Sequence, residues 1–174
     1  TIEEVTVSLR RSASAATLTT PVSVQRTTTE EIKSNPGGNF DISRVIQSLP
    51  GVSGTDGSSG GFRNDIIIRG GAPSENVYYL DGIETPIINH FSTQGSSGGP
   101  TGLLNVLFIQ DVKLSTSAFD ARFDNTLSSV FQFTQKTGNP DRIQSNLRIQ
   151  ATDAALTLDG PLSKNGNTTF LASA

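Results

Sequence analysis

Three β-branched residues in a row, Ile66-Ile67-Ile68, stopped at once by Arg69-Gly70-Gly71, constrain this chain more than any other stretch. Strand side chains alternate between faces, so a run with no polar position predicts a strand covered on both sides, inside a sheet. A polar link, Ala72-Pro73-Ser74-Glu75, leads to a second β-rich run, Val77-Tyr78-Tyr79-Leu80, which Asp81-Gly82 ends. Aspartate and glycine both tolerate positive φ, so this pair predicts a tight turn. Two such runs around a Gly/Pro link predict adjacent strands of one sheet.

At 174 residues the chain can bury one core, and we expect one domain with appendages. Thirteen basic and 16 acidic residues give a net charge of −3 with no basic run, which argues against nucleic acid as a partner. A hydrophobic content of 34% with 17 glycines suits a loop-rich domain, or one enclosed by something else. The absence of cysteine excludes disulfides, thiolate metal sites and cysteine nucleophiles together. With no methionine the chain reads as a piece of a longer, processed protein, and no apolar run nears the ~20 residues of a membrane-spanning helix.

Taken in order, residues 1–9 alternate apolar and polar and read as an isolated extended segment. Residues 20–24 read as a strand opened by Pro21. Thr28 and Thr29 ahead of Glu30-Glu31 suit a helix start, and the Asn35–Asn39 turn ends that helix. Asp41 is placed to cap a second helix, with Ile42, Val45, Ile46 and Leu49 on one face and Pro50-Gly51 as its stop. Residues 103–108 suit a buried helical turn. Ile109–Leu114 alternates as a strand, with Ile109, then Val112 and Leu114, as the inward candidates, and residues 128–133 form another strand. Beyond Arg142 the pattern changes. Leu147, Ile149 and Ala151 alternate with Arg148, Gln150 and Thr152, and Leu156 and Leu158 continue the series. Alternation of this length marks a transmembrane β-strand as well as a soluble hairpin. Residues 160–167 are expected to turn, and 168–174 to begin a second strand.

Catalytic chemistry has little to work with. The chain holds one histidine, and G-x-S-x-G, P-loop, G-x-G-x-x-G and H-E-x-x-H patterns do not occur. We expect no enzyme, no catalytic residue, no metal site and no cofactor; Asp81 and Glu84 read as turn and solvent residues. Two Gly/Ser-rich loops remain as binding candidates. Residues 55–64 carry Phe62 and Arg63, and residues 85–102 carry Asn89, His90 and Phe91 at an apolar-aromatic tip. Each also suits a plain connector or a loop anchor.

The ordered series DISRVIQSLPGV, IIIRGG, YYLDGI and LLNVLFIQDVKL resembles the plug domain of TonB-dependent outer-membrane transporters, over roughly residues 19–136. The resemblance implies an α+β plug domain, a small mixed β-sheet with short helices, followed by the opening strands of a transmembrane β-barrel. It divides the chain into a TonB-box-like segment at 1–9, a plug at 10–138 and the start of the barrel at 139–174. It makes Glu4, Val5, Thr6 and Val7 the contact with TonB, by strand addition. It makes Phe62, Arg63, Ser74, Glu75, Asn89, His90 and Phe91 apical substrate contacts. Arg69 matches the family's strand-end arginine, a plug–barrel contact. Where many members carry Arg-Gly-Pro after the IQDVKL strand, this chain has Ser115-Thr116-Ser117, and Arg122 is the candidate replacement. The implied partners are TonB, the chain's own barrel, a small-molecule or oligomeric substrate and the outer membrane. The stretch from Asn89 to Asn105 further resembles Bacteroidetes receptors. A soluble periplasmic binding or signalling module with a plug-like fold, and a hydrolase built on His90, are the alternatives.

Overall fold

The computed structural model describes residues 24–34, 41–54, 65–93, 96–117, 119–149, 154–163 and 168–174, with the backbone alone at 29, 90–93 and 96–101. Strand β1 (Val24–Thr28) runs directly into helix α1 (Thr29–Ser34). The switch is a capping box, because the Glu31 carboxylate reaches back to accept from the Thr28 backbone N–H at 2.9 Å. Of the expected strand at 20–24, residues 20–23 fall outside the described residues, and Val24 opens β1. Helix α2 (Ile42–Gln47) is capped by Asp41, whose Oδ1 accepts from Ser43 N–H at 2.9 Å. Its buried face is Ile42, Val45 and Ile46, and Gly51, at φ +80°, turns the chain out of it as expected.

Among the described residues, strands β2 (Val52–Ser53) and β3 (Ile67–Ile68) pair only with each other. Here the expectation fails, because the isoleucine run is neither inside the main sheet nor next to the tyrosine run. The run specified burial on both faces, and the structure buries one of them, with Ile67 on the other only half-buried. Ile66 and Ile68 are 0% and 1% exposed. Side chains replace the missing ladder, since Asn76 Nδ2 donates to Ile66 O at 2.7 Å and Ser128 Oγ to Ile68 O at 3.0 Å. A short 3₁₀ turn, Pro73–Glu75, leads to β4 (Asn76–Leu80) and β5 (Ile83–Thr85). Asp81 at φ +50° and Gly82 at φ +85° form the tight turn between those strands.

The expected long loop at 85–102 is mostly a hairpin, β6 (Asn89–Thr93) with β7 (Ser96–Gly102). Backbone pairing needs no side-chain alternation, so a Gly/Ser sequence hides it. After a second 3₁₀ turn, Val106–Phe108, come β8 (Ile109–Ser115) and β9 (Ser129–Gln135). Ile109, Val112 and Leu114 are all buried, though 109 and 112 differ in parity. A register shift between Ile109 and Asp111 reconciles them, because one extra residue in the strand reverses its phase.

The main sheet has the order β1-β8-β9-β4-β5, mixed because β4 and β9 are parallel. Its core face carries Tyr78, Val112, Leu114, Phe131 and Phe133. Tyr78 stacks on Phe131 at 5.3 Å, and Phe131 on Phe133 at 6.2 Å. Burial pushes the Tyr78 phenol up to about 12, opposed by its hydrogen bond with Asn76 and aided by the Asp65 charge. The fold therefore favours the neutral phenol. That stability is complete below pH 10 and is lost as pH rises from about 10 to about 12, roughly 2–3 kcal/mol in all. Titration of tyrosinate absorbance should show Tyr78 ionising together with unfolding; ionisation near pH 10 in the folded protein would contradict its burial.

Strands β10 (Gln144–Ile149), β11 (Ala154–Pro161) and β12 (Thr169–Ser173) form a separate antiparallel sheet. Three strands stand where two were expected. The alternation spanning 147–158 belongs to two strands of one hairpin, with Leu147 opposite Leu156, and Gly160-Pro161 is strand rather than turn.

Candidate functional site

Around Arg69 each local choice has a separate cause. Arg69 at φ +50° and Gly70 at φ +81° close a turn in which Gly71 N–H donates to Ile68 O at 2.9 Å. Gly70 answers to backbone conformation, whereas Gly71 answers to space. A Cβ on Gly71 would sit 2.5 Å from Ser128 Oγ and 2.8 Å from Glu75 Oε2. Ser128 N–H also donates to Glu75 O at 3.2 Å, which staples the Pro73–Glu75 turn to the start of β9. The turn lies beside β7. Arg69, Ser74 and Glu75 thus stand on two successive turns, the second of them beside β7. Arg69 and Ser74 are exposed and Glu75 is half-buried.

The hairpin is tied down from below. Asn89 is 1% exposed, which argues against its reading as a surface contact, and its Oδ1 accepts from Ser43 Oγ at 3.1 Å. A Cβ on Gly102 would lie 2.9 Å from Asp41 Oδ1, so β7 passes close over the α2 cap. Asn89 Nδ2 is buried with no hydrogen-bond partner among the described residues. His90 and Phe91 lie in β6, with Phe91 opposite Gly98. Phe62, Arg63 and the 4–7 segment lie outside the described residues.

Arg122 sits elsewhere, over the Phe123 ring at 5.0 Å and 3.2 Å from Asp120. Phe123 in turn packs on Tyr79 at 5.1 Å. Burial, then the Glu84 and Asp124 charges, raise the Tyr79 phenol. Both partners of the Arg122–Asp120 pair are more than half exposed, so it adds little stability.

Contacts that no sequence pattern announced join the two sheets. Lys136 Nζ lies 3.6 Å from Asp159 Oδ2, and Asn105 Nδ2 donates to Ser173 Oγ at 3.0 Å. A Cβ on Gly138 would collide with the Phe170 carbonyl oxygen. The face of the three-stranded sheet that carries Thr157, Asp159 and Ser173 is therefore turned to the main domain. The opposite face is apolar and open, with Leu147 67%, Ile149 74% and Leu156 42% exposed. The signal for these links exists only as register, which brings residues 23 or 68 apart into contact.

Comparison with known proteins places this architecture. Solved structures with the same fold include a variant ferric enterobactin receptor (PfeA) of Pseudomonas aeruginosa in complex with enterobactin. It is 22% identical, with a TM-score of 0.60 over 87% of this chain and 24% of that one. The siderophore receptor PirA of Pseudomonas aeruginosa gives 22%, 0.56, 87% and 26%. The outer membrane transporter YddB of Escherichia coli gives 18%, 0.57, 82% and 25%. The chain thus spans about a quarter of the length of these receptors. None of the three lends support to the Bacteroidetes-like reading of residues 89–105. No match was found among curated protein sequences. The family model described as the TonB-dependent Receptor Plug Domain matches residues 16–130, about two thirds of the chain. The chain belongs to the family of TonB-dependent receptor plug domains.

Proposed function

We propose that this chain is the gating plug of an outer-membrane transporter, followed by the first strands of the barrel that encloses it. Residues 1–9 are the TonB-box-like segment, 10–138 the plug and 139–174 the start of the barrel wall. One observation carries the reading: a three-stranded sheet holds its polar face against the plug through Lys136–Asp159 and leaves an apolar face open. An open apolar face marks a surface that meets a partner or a membrane, and a barrel wall turns such a face to lipid. Three strands leave unpaired edges, which lipid does not tolerate, so the reading requires further strands.

Substrate, a small molecule or an oligomer, binds at apical segments: residues 55–64, the Pro73–Glu75 turn and the β6–β7 hairpin. Phe62, Arg63, Ser74, Glu75, His90 and Phe91 are the contacts, and Asn89 anchors the hairpin on α2 instead of touching substrate. Arg69, exposed on a rigid turn, meets the barrel wall. Arg122, already held by Asp120 and Phe123, is the weaker of the two arginines for that role. Glu4–Val7 pairs with TonB on the periplasmic side, and the coupled pull displaces the plug.

Sequencing the gene past the codon for Ala174 tests this reading. Several hundred further residues in alternating segments of about ten are expected. A stop codon soon after would leave no pore and favour a periplasmic binding module.

A further inference from the structure

Where the chain passes from β9 to β10, a cavity of about 410 Å³ opens between the two sheets. Lys33, from the last turn of α1, and Lys136 line one side, and Arg142, Asn146, Thr157 and Asp159 line the other. Three cations face one carboxylate. Asp159 is buried and matched by Lys136 Nζ at 3.6 Å, so its charge is already answered. Lys33 and Arg142 remain, and neither makes an ion pair with another described residue. In a chain of net charge −3, this leaves a local surplus of positive charge in a concave site. Two like charges lining one cavity repel, and an anion between them turns that repulsion into attraction.

We propose that this cavity binds a phosphate group, clamped between Lys33 and Arg142, with the Asn146 amide and Thr157 hydroxyl as neutral donors. The donors come from opposite walls. A tetrahedral oxyanion presents oxygens to both, whereas a carboxylate presents its two oxygens to one side. A guanidinium fork suits phosphate in the same way. The space exceeds a free phosphate ion and accepts an ester substituent. Ile143, also on the cavity wall, is 66% exposed, and the apolar outer face of β10 begins beside it. Two sources share this chemistry: inorganic phosphate and a phospholipid headgroup. The site does not depend on the transport reading.

The test uses the intact protein that contains this segment, purified in detergent. One arm titrates sodium phosphate by calorimetry against sodium chloride at equal ionic strength. The other counts phosphatidylglycerol adducts by native mass spectrometry. We expect saturable binding in at least one arm. The pair Lys33→Gln with Arg142→Gln should weaken it about tenfold, and Lys33→Arg with Arg142→Lys should restore it. Binding of phosphate that excess phosphatidylglycerol does not displace identifies the free ion. Lipid adducts that phosphate displaces poorly identify a headgroup. No saturable binding by the unmodified protein in either arm overturns the proposal, as does equal binding by the neutralised pair. Lys33→Gln alone, at an exposed position, keeps the second outcome readable if the double variant does not fold.

Discussion

Replacing Phe131 with alanine should remove about 3–5 kcal/mol from the plug, more than any other single truncation considered. Phe131 is 0% exposed, sits on β9 between β8 and β4, and stacks on both Tyr78 and Phe133. The loss has two parts: the transfer free energy of the ring, and a cavity that strands held on both sides cannot close. The aromatic pairs add about 0.5–1.5 kcal/mol each beyond area. Against a typical total of about 5–15 kcal/mol, that is a large fraction. Hydrogen exchange in the intact protein should show β4, β8 and β9 amides losing protection by roughly two to four orders of magnitude. Phe131→Leu, which refills much of the space, should lose far less. Unchanged protection in the alanine variant would mean that the enclosing wall, and not this core, holds the strands.

Placing proline at position 5 should abolish energised uptake while leaving substrate binding intact. If the 4–7 segment couples by adding a strand to a partner's sheet, its backbone N–H groups carry the affinity. Proline removes one and fixes φ away from the strand value. Val5→Pro leaves every residue proposed to touch substrate unchanged, so equilibrium binding of substrate to whole cells should match the parent protein. Uptake should fall to the level of a strain without the energy-coupling partner. Val5→Thr, which keeps the N–H, should preserve uptake. Normal uptake by the proline variant would remove the coupling role from residues 1–9, and lost binding would point to a structural role instead.

What could be read in advance followed from locality. The α2 cap at Asp41, the turn at Asp81-Gly82 and the stop at Gly51 each depend on a few consecutive residues, and each stands where the sequence put it. The buried faces of α2 and β8 were also legible, because burial follows hydrophobic spacing. Strand partners were not. The isoleucine run and the tyrosine run lie eight residues apart and join different sheets, since pairing depends on which surfaces meet after collapse. The β6–β7 hairpin leaves no mark in the side-chain pattern because strand pairing is made by the backbone, and the β8 bulge leaves none because one inserted residue leaves composition unchanged.

The candidate site divides along the same line. Arg69-Gly70-Gly71 and the Pro73–Glu75 turn could be picked out as special by residue type alone. That Asn89 faces inward to Ser43, that Arg122 is held by Asp120, and that Lys33 and Arg142 share a cavity could not. By itself the sequence determined the caps, turns, buried faces and family of this protein, because those are written in short-range chemistry. Only the tertiary structure decided strand order, the seam between the sheets and the company each charged side chain keeps. Those arise from long-range packing, where residues distant along the chain compete for the same few neighbours.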